Sequence, residues 1–370
     1  MTPGKMSEKT YHAVLRKFLR TDEDVQNFLK LHQGKEQGLV IEAAMEAAQT
    51  RTIIKRRQKG LAERDEVKEL RRRVTEQDWD ELLIAARALV LCGLPYRKSE
   101  ERHIVKKARL GNGQWLTVVY TALGEHPIPF GKDRAILSWI TTVASRTGSP
   151  VVKFDSALEF MRAFGMSDAG SNYRIIRGSI DRLKAFSCYV TVNDGTVEAS
   201  SQEAVVKRAL IPSRDDSSRE RQGEVRLPVI HEGFFVELDP TFFQEIRTHG
   251  IPVPLELMKR YANNPMAWDF IMFMNYRIKI ARSPSRIPLE QLTQMLGTGD
   301  TNLRKVKMRL EEVLKELKEI WPECPAHFEG SGSKAVLFVA PPKDGQYLVM
   351  GRDAVATLGV GVPEALVVDE

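Results

Sequence analysis

Thr301–Ile320 reads TNLRKVKMRLEEVLKELKEI. Leu303, Val306, Leu310, Val313, Leu314 and Leu317 recur at helical period and form one apolar stripe, which has to face a core. At about 100° per residue, Thr301, Arg304, Lys305, Met308, Glu312 and Lys315 fall on the opposite face. The charges are graded along the axis: Arg304, Lys305, Lys307 and Arg309 crowd the first half, Glu311, Glu312, Glu316 and Glu319 the second. The helix macrodipole favours the reverse order, and the inversion costs roughly a few tenths of a kcal/mol per exposed charge. An anion outside the helix would offset that cost.

The flanks give this helix a setting. Before it lies PLEQLTQMLG, with Pro288 suited to a first helical turn and Gly297 to a stop, followed by a Thr-Gly-Asp turn. After it, HFEGSGSKAVLFVA reads as a hairpin with a Gly-Ser-Gly-Ser-Lys tip. Helix, turn, helix and hairpin are the order of a winged helix. In that fold the second helix presents its N-terminal residues to the DNA major groove, where Arg and Lys donate to guanine or to phosphates. The residues expected to meet DNA here are Thr301, Asn302, Arg304, Lys305, Lys307, Met308 and Arg309, with Ser331 and Lys334 at the wing. The competing reading is a solvated amphipathic helix whose charge order is accidental.

The same order occurs upstream. HIVKKARL and WLTVVYTAL flank Gly111-Asn-Gly113, a hairpin signature. A helix over about Asp133 to Arg146 leads to strand VVKF and to SALEFMRAFG, opened by the capping-box pattern Ser156-x-x-Glu159. SNYRIIRGSIDRLKAF then enters SCYVTVNDGTVEAS, whose Asn193-Asp-Gly marks a second hairpin. Its helix is expected to bury Tyr173, Ile176, Ile180 and Leu183. Arg174 and Arg182 would lie exposed and Arg177 on the flank, for phosphate contacts or subunit pairing.

The implied architecture is α+β, mostly α with short β-hairpins: tandem winged-helix domains behind a helical N-terminal region. Residues 1–93 form that region, 94–212 the first winged unit, 213–225 a polar linker, 226–341 the DNA-reading unit and 342–370 a tail. Residues 8 to 90 read as helical throughout, including the basic segment TRTIIKRRQKGLAERDEVKELRRRV, a solvated helix laced by i,i+4 pairs or a basic arm on a nucleic-acid backbone. VIHEGFFVEL reads as the strand opening the second unit, and PMAWDFIMFMNYRIKIA as a buried helix.

Other chemistry finds little footing. Pro127-Ile-Pro-Phe-Gly-Lys-Asp-Arg134 poses a choice between phosphate loop and helix entry. It lacks the upstream glycines of a phosphate loop, and Asp133 stands where Ser or Thr would hold a metal. Asp133 suits a helix N-terminus instead. No HExxH, no CxxC and no third glycine after Gly111-Asn-Gly113 is present, so no enzyme, metal site or cofactor is expected. Three distant cysteines, Cys92, Cys188 and Cys324, point to a reducing cytoplasm, and no run is apolar and long enough to cross a membrane. The net charge of +6 permits an anionic partner without requiring one.

Residues 94–186 also resemble the RepA-type plasmid replication initiators, a group related to the TrfA-like initiators. The likeness is carried by Pro129-Phe130-Gly131, Arg134, Trp139, Phe160 to Gly165, and Gly170 with Tyr173-Arg174; Phe130 stands where Tyr is common. From there to Ala340 it rests on element order alone. The resemblance implies binding to repeated double-stranded origin sites (iterons), opening of the adjacent AT-rich duplex and loading of the host replicative helicase with its initiation factors. It also implies a bacterial cytoplasmic protein in monomer–dimer balance, whose first domain pairs and whose second reads DNA. A winged-helix transcriptional repressor is the alternative.

Overall fold

The computed structural model describes residues 7–19, 21–75, 81–109, 114–154, 158–167, 169–193, 198–210, 234–343 and 346–349. The turns expected at 111–113 and 194–195, the linker 213–225, Ser156 and most of the tail lie outside them. The chain divides into two compact units, Met1–Glu69 and Leu70–Glu370.

The first unit is helical, as its periodicity predicts. Helix α1 (Glu8–Leu15) starts where the Ser7 side chain accepts from the Thr10 amide. Helix α2 (Asp22–Leu31) starts with a reciprocal Thr21–Asp24 capping box, each bond 3.1 Å long. Helix α3 (Gln37–Thr75) carries the basic segment. Leu15, Leu19, Val25, Val40 and Ala44 make the core of this unit, with Phe18 and Phe28 against it.

The second unit opens differently from expectation. Leu82–Ala85, read as helical from its apolar run, is strand β1, and only Arg87–Leu91 (α4) keeps a helix. The cause is tertiary: β1 pairs antiparallel with Ile251–Pro254, a strand between two helices that periodicity does not announce. A four-residue apolar run has no period of its own, so its partner decides.

The chain continues through β2 (His103–Arg109), β3 (Trp115–Ala122), α5 (Asp133–Thr147), β4 (Val151–Phe154), α6 (Leu158–Ala163), α7 (Gly170–Lys184), β5 (Phe186–Asn193), β6 (Glu198–Ala204) and β7 (Val206–Leu210). Strand β8 (Phe234–Leu238), α8 (Pro240–His249), β9 (Ile251–Pro254), α9 (Leu255–Arg260) and α10 (Pro265–Ile280) follow. Last come β10 (Ser285–Pro288), α11 (Leu289–Leu296), α12 (Leu303–Ile320), β11 (Ala326–Glu329) and β12 (Val336–Val339). Among the described residues the sheets are small and antiparallel, in the orders β1-β9, β2-β3-β5-β6, β4-β8-β7 and β10-β12-β11. The chain is therefore α+β.

The two repeats of element order are closed differently. In the C-terminal one, β10 pairs with β12 and β12 with β11, and α10, α11 and α12 cover that sheet through Phe270, Leu292, Leu310 and Leu317, all fully buried. In the other, β4 does not join the β5–β6 hairpin. It pairs with β8, which the sequence places at the head of the second unit and which here lies between β4 and β7. The β5–β6 hairpin instead extends the β2–β3 hairpin into a four-stranded sheet. Part of the tail packs too: Leu348 and Val349 are buried, and the Trp321 indole donates to the Gln346 carbonyl at 3.2 Å.

Candidate nucleic-acid interface

Helices α11 and α12 are joined by a turn that two left-handed glycines shape, Gly297 at φ 68° and Gly299 at φ 61°. Gly297 has no alternative. A Cβ there would lie 2.0 Å from the Lys106 Nζ and 2.9 Å from the Gly93 carbonyl. Asp300 accepts from the Asn302 amide, and Asn302 caps α12 by accepting from the Lys305 amide at 3.1 Å. Val306, Leu310, Val313, Leu314 and Leu317 are buried, so the apolar stripe faces the core as its spacing requires.

The expected DNA-facing residues separate by what holds them. Arg304, Lys305 and Met308 are exposed on one face, Met308 at 63%, and neither cation has a carboxylate partner among the described residues. Thr301 is exposed beside them. Lys307 is half-buried and paired with Glu311 at 2.5 Å, and Arg309 reaches Asp300 at 3.6 Å. Much of the inverted charge gradient is thus answered inside the protein. What is left over is concentrated at Arg304 and Lys305. Asn302 spends its side-chain oxygen on the cap.

The β11–β12 hairpin stands next to α12. Its tip is a 3-10 turn, Gly332–Lys334, between Gly330 and Ala335, with Ser331 and Lys334 exposed. Arg286 braces the hairpin from β10, 3.1 Å from Glu329 and stacked over the Phe338 ring. Lys334 has no carboxylate partner among the described residues.

The equivalent helix of the first repeat, α7, buries Ile176, Ile180 and Leu183 but leaves Tyr173 37% exposed, against expectation. Arg174 is exposed and Arg177 half-buried. Arg182 leaves the expected phosphate-contact set. Its guanidinium is bidentate to Asp133 at 2.6 and 2.7 Å, and it lies over the Phe130 ring. Asp133 is 1% exposed and also accepts from the Phe130 amide at 2.8 Å. Pro127–Arg134 is therefore the anchored entry to α5, and the charges of Asp133 and Arg134 are spent on the fold.

Behind the α11–α12 turn lies a charged cluster whose partners periodicity does not disclose. Arg134 on α5 meets Asp269 on α10 at 2.9 Å, donates to the Leu94 carbonyl at 2.6 Å and the Gly131 carbonyl at 2.9 Å, and stacks on Tyr96. Lys106 on β2 donates to the Gly93 carbonyl and sits against Gly297. Burial pushes Asp269 up to about 6, against the pull of Arg134 and Lys106. Burial likewise brings Lys106 down to about 8, opposed by Asp269. Gly93 has no room for a Cβ, which would meet the Asp269 carboxylate at 2.4 Å. This cluster ties the α11–α12 turn to the first repeat. An Arg and an Asp set among the buried positions of two helices were its only sequence signal.

Among the described residues no group of His, Cys, Asp and Glu could hold a metal ion, and no helix is long and apolar enough to cross a membrane. Cys92, Cys188 and Cys324 are buried free thiols, and burial raises Cys92 and Cys324 to about 12.

No protein-family model matches the chain, and no curated protein matches it either. Among solved structures it is similar to the crystal structure of RctB domains 2-3 (RctB-155-483), at 14% identity and a TM-score of 0.41 over 70% of this chain and 98% of that one. It is also similar to the selenomethionine derivative of domains 2 and 3 of RctB, at 14% identity and a TM-score of 0.43 over 68% of this chain and 94% of that one.

Proposed function

We propose that the chain is a sequence-specific replication initiator that reads duplex DNA with α12 and steadies it with the β11–β12 wing, the α10–β12 segment acting as a winged helix. The carrying observation is the exposed Arg304–Lys305–Met308 face, whose two cations have no carboxylate partner among the described residues, beside the exposed Lys334. A buried stripe fixes that face outward, and the glycine turn aims its N-terminal end. Arg304 donates to a base edge, Lys305 and Lys334 meet phosphates, and Arg174 supplies a further phosphate contact from the first repeat.

The resemblance of residues 94–186 to plasmid initiators supplies the rest of the reading. The DNA is a set of repeated origin sites, binding opens the neighbouring duplex, and the protein helps load the host replicative helicase in the bacterial cytoplasm. Self-association through the first repeat sets how much protein is competent to bind. No catalytic step is assigned to the chain.

Footprinting on duplexes selected from a random pool tests the reading. Arg304→Ala should cost about 1–3 kcal/mol on the selected site and relax preference at one base position. Lys334→Ala should weaken all duplexes evenly and reduce the salt slope by about 1. An origin plasmid supplied with this protein alone should replicate; protection without replication would make the chain a repressor instead.

A further inference from the structure

The four-stranded sheet β2-β3-β5-β6 presents a face that the proposed duplex contact does not use. Its inner face is core, with Ala108, Leu116, Val118, Tyr120, Phe186 and Cys188 all buried. Its outer face is open around three apolar side chains, while Thr191 in its middle row is buried. Val105 is 60%, Trp115 47% and Tyr189 41% exposed, and Lys107 and His103 are exposed beside them. An exposed pair of aromatic rings on a sheet needs a reason, because a sheet of this composition gains by burying them.

The register orders this face. Val105, Val119 and Tyr189 are direct partners and make one row; Lys107, Thr117 and Thr191 make the next; Arg109, Trp115 and Asn193 make the third. Same-face rows recur about every 7 Å along a strand. An aromatic row, a row with a cation and a second aromatic row therefore follow one another. On β2, β3 and β5 this face holds no Asp or Glu, and on β6 the register sets Glu198 opposite Asn193.

We infer that this face binds single-stranded DNA, with bases stacked on Tyr189 and Trp115 and the intervening phosphate at Lys107. Each alternative occupant fits worse. A second copy on a two-fold axis through Lys107 would set that cation against its own like charge, and the one acidic position of this face, Glu198 on β6, lies a row away opposite Asn193. A duplex hides its base faces in its own stack and offers these rings nothing to lie on, whereas an unpaired strand offers a ring face at every base. The choice of DNA over RNA rests on the duplex reading proposed above, since an opened duplex beside α12 supplies unpaired strands; the choice of a single strand does not.

The test is anisotropy of a fluorescein-labelled oligothymidine strand with the full chain, run beside the selected duplex and an oligouridine strand. Trp115→Ala and Tyr189→Ala should each weaken the single strand about ten-fold while leaving the duplex unchanged. Trp115→Phe, which keeps a ring, should retain most of the affinity, and Lys107→Ala should lower the salt dependence. Absence of single-strand binding, unchanged affinity in both alanine variants, or Trp115→Phe falling as far as Trp115→Ala would overturn the assignment. So would tighter binding of oligouridine, or light scattering in which Trp115→Ala turns a dimer into a monomer with single-strand affinity intact. Failure of the duplex arm alone would count against α12 as a reader and leave the single-strand result to stand by itself.

Discussion

Arg134 on α5 and Asp269 on α10 form an ion pair at 2.9 Å with only 6% and 7% of their side chains exposed. The pair joins the leading helices of the two repeats, and Lys106 and Gly93 bind it to the α11–α12 turn. Removing one partner of such a pair leaves an uncompensated buried charge. Asp269→Ala should therefore destabilise the second unit by about 3–5 kcal/mol near neutral pH, read as a fall in the urea midpoint. Arg134→Lys should also be costly, because an ammonium cannot serve Asp269 and the Leu94 and Gly131 carbonyls together.

Asp269 gives stability a pH dependence of unusual sign. Folded, its carboxyl holds a proton up to about 6; unfolded, it releases it near the ordinary value of about 4. Between those values the folded chain binds more protons, so this group's contribution is full below about pH 4 and falls as pH rises to about 6. The span corresponds to about 3 kcal/mol. Urea midpoints followed across this range should show the decline in the wild type and a flatter course in Asp269→Asn.

Sequence reading reached furthest where one element carried its own period. The α12 stripe and its stop-and-turn glycines were legible, because each depends on neighbours within a few residues; the Asn302 cap was not, since that side chain was expected to meet DNA. Leu82–Ala85 was not, since only pairing with Ile251–Pro254 distinguishes that run from a helix. The position of β8 between β4 and β7 was equally hidden: alternation marks a strand without naming its partner. Among the site residues, Arg182 looked like a free cation until its helix was packed against Asp133. A one-dimensional pattern shows which face a charge occupies, not whether another element has already neutralised it.

Gly297→Ala tests how tightly the α11–α12 turn is held. Its left-handed backbone costs an alanine about 1–3 kcal/mol, and the added Cβ meets the Lys106 Nζ and the Gly93 carbonyl. The lysine end can swing aside, but the Gly93 carbonyl cannot without moving the loop. The variant should lose stability and, under conditions where it remains folded by circular dichroism, bind the selected duplex more weakly than the wild type. Gly299→Ala, with the same backbone sign but open space around its Cβ, should show the backbone cost alone.

Met308 separates base reading from simple charge attraction. It is 63% exposed, one turn beyond Arg304 on the same face of α12, and carries no charge to hold a phosphate. An apolar tip at that position in a major groove pairs with the thymine C5-methyl, the one apolar group a base edge presents there. Uracil lacks that methyl and keeps every hydrogen-bonding atom. Replacing thymine by uracil one position at a time in the selected duplex should cost the wild type about four-fold at a single position, the worth of one buried methyl. In Met308→Ala the same replacement should cost nothing, while Arg304→Ala should keep the uracil penalty. A penalty that survives in Met308→Ala would assign the methyl contact to another side chain; no penalty at any position would leave α12 binding through its cations alone.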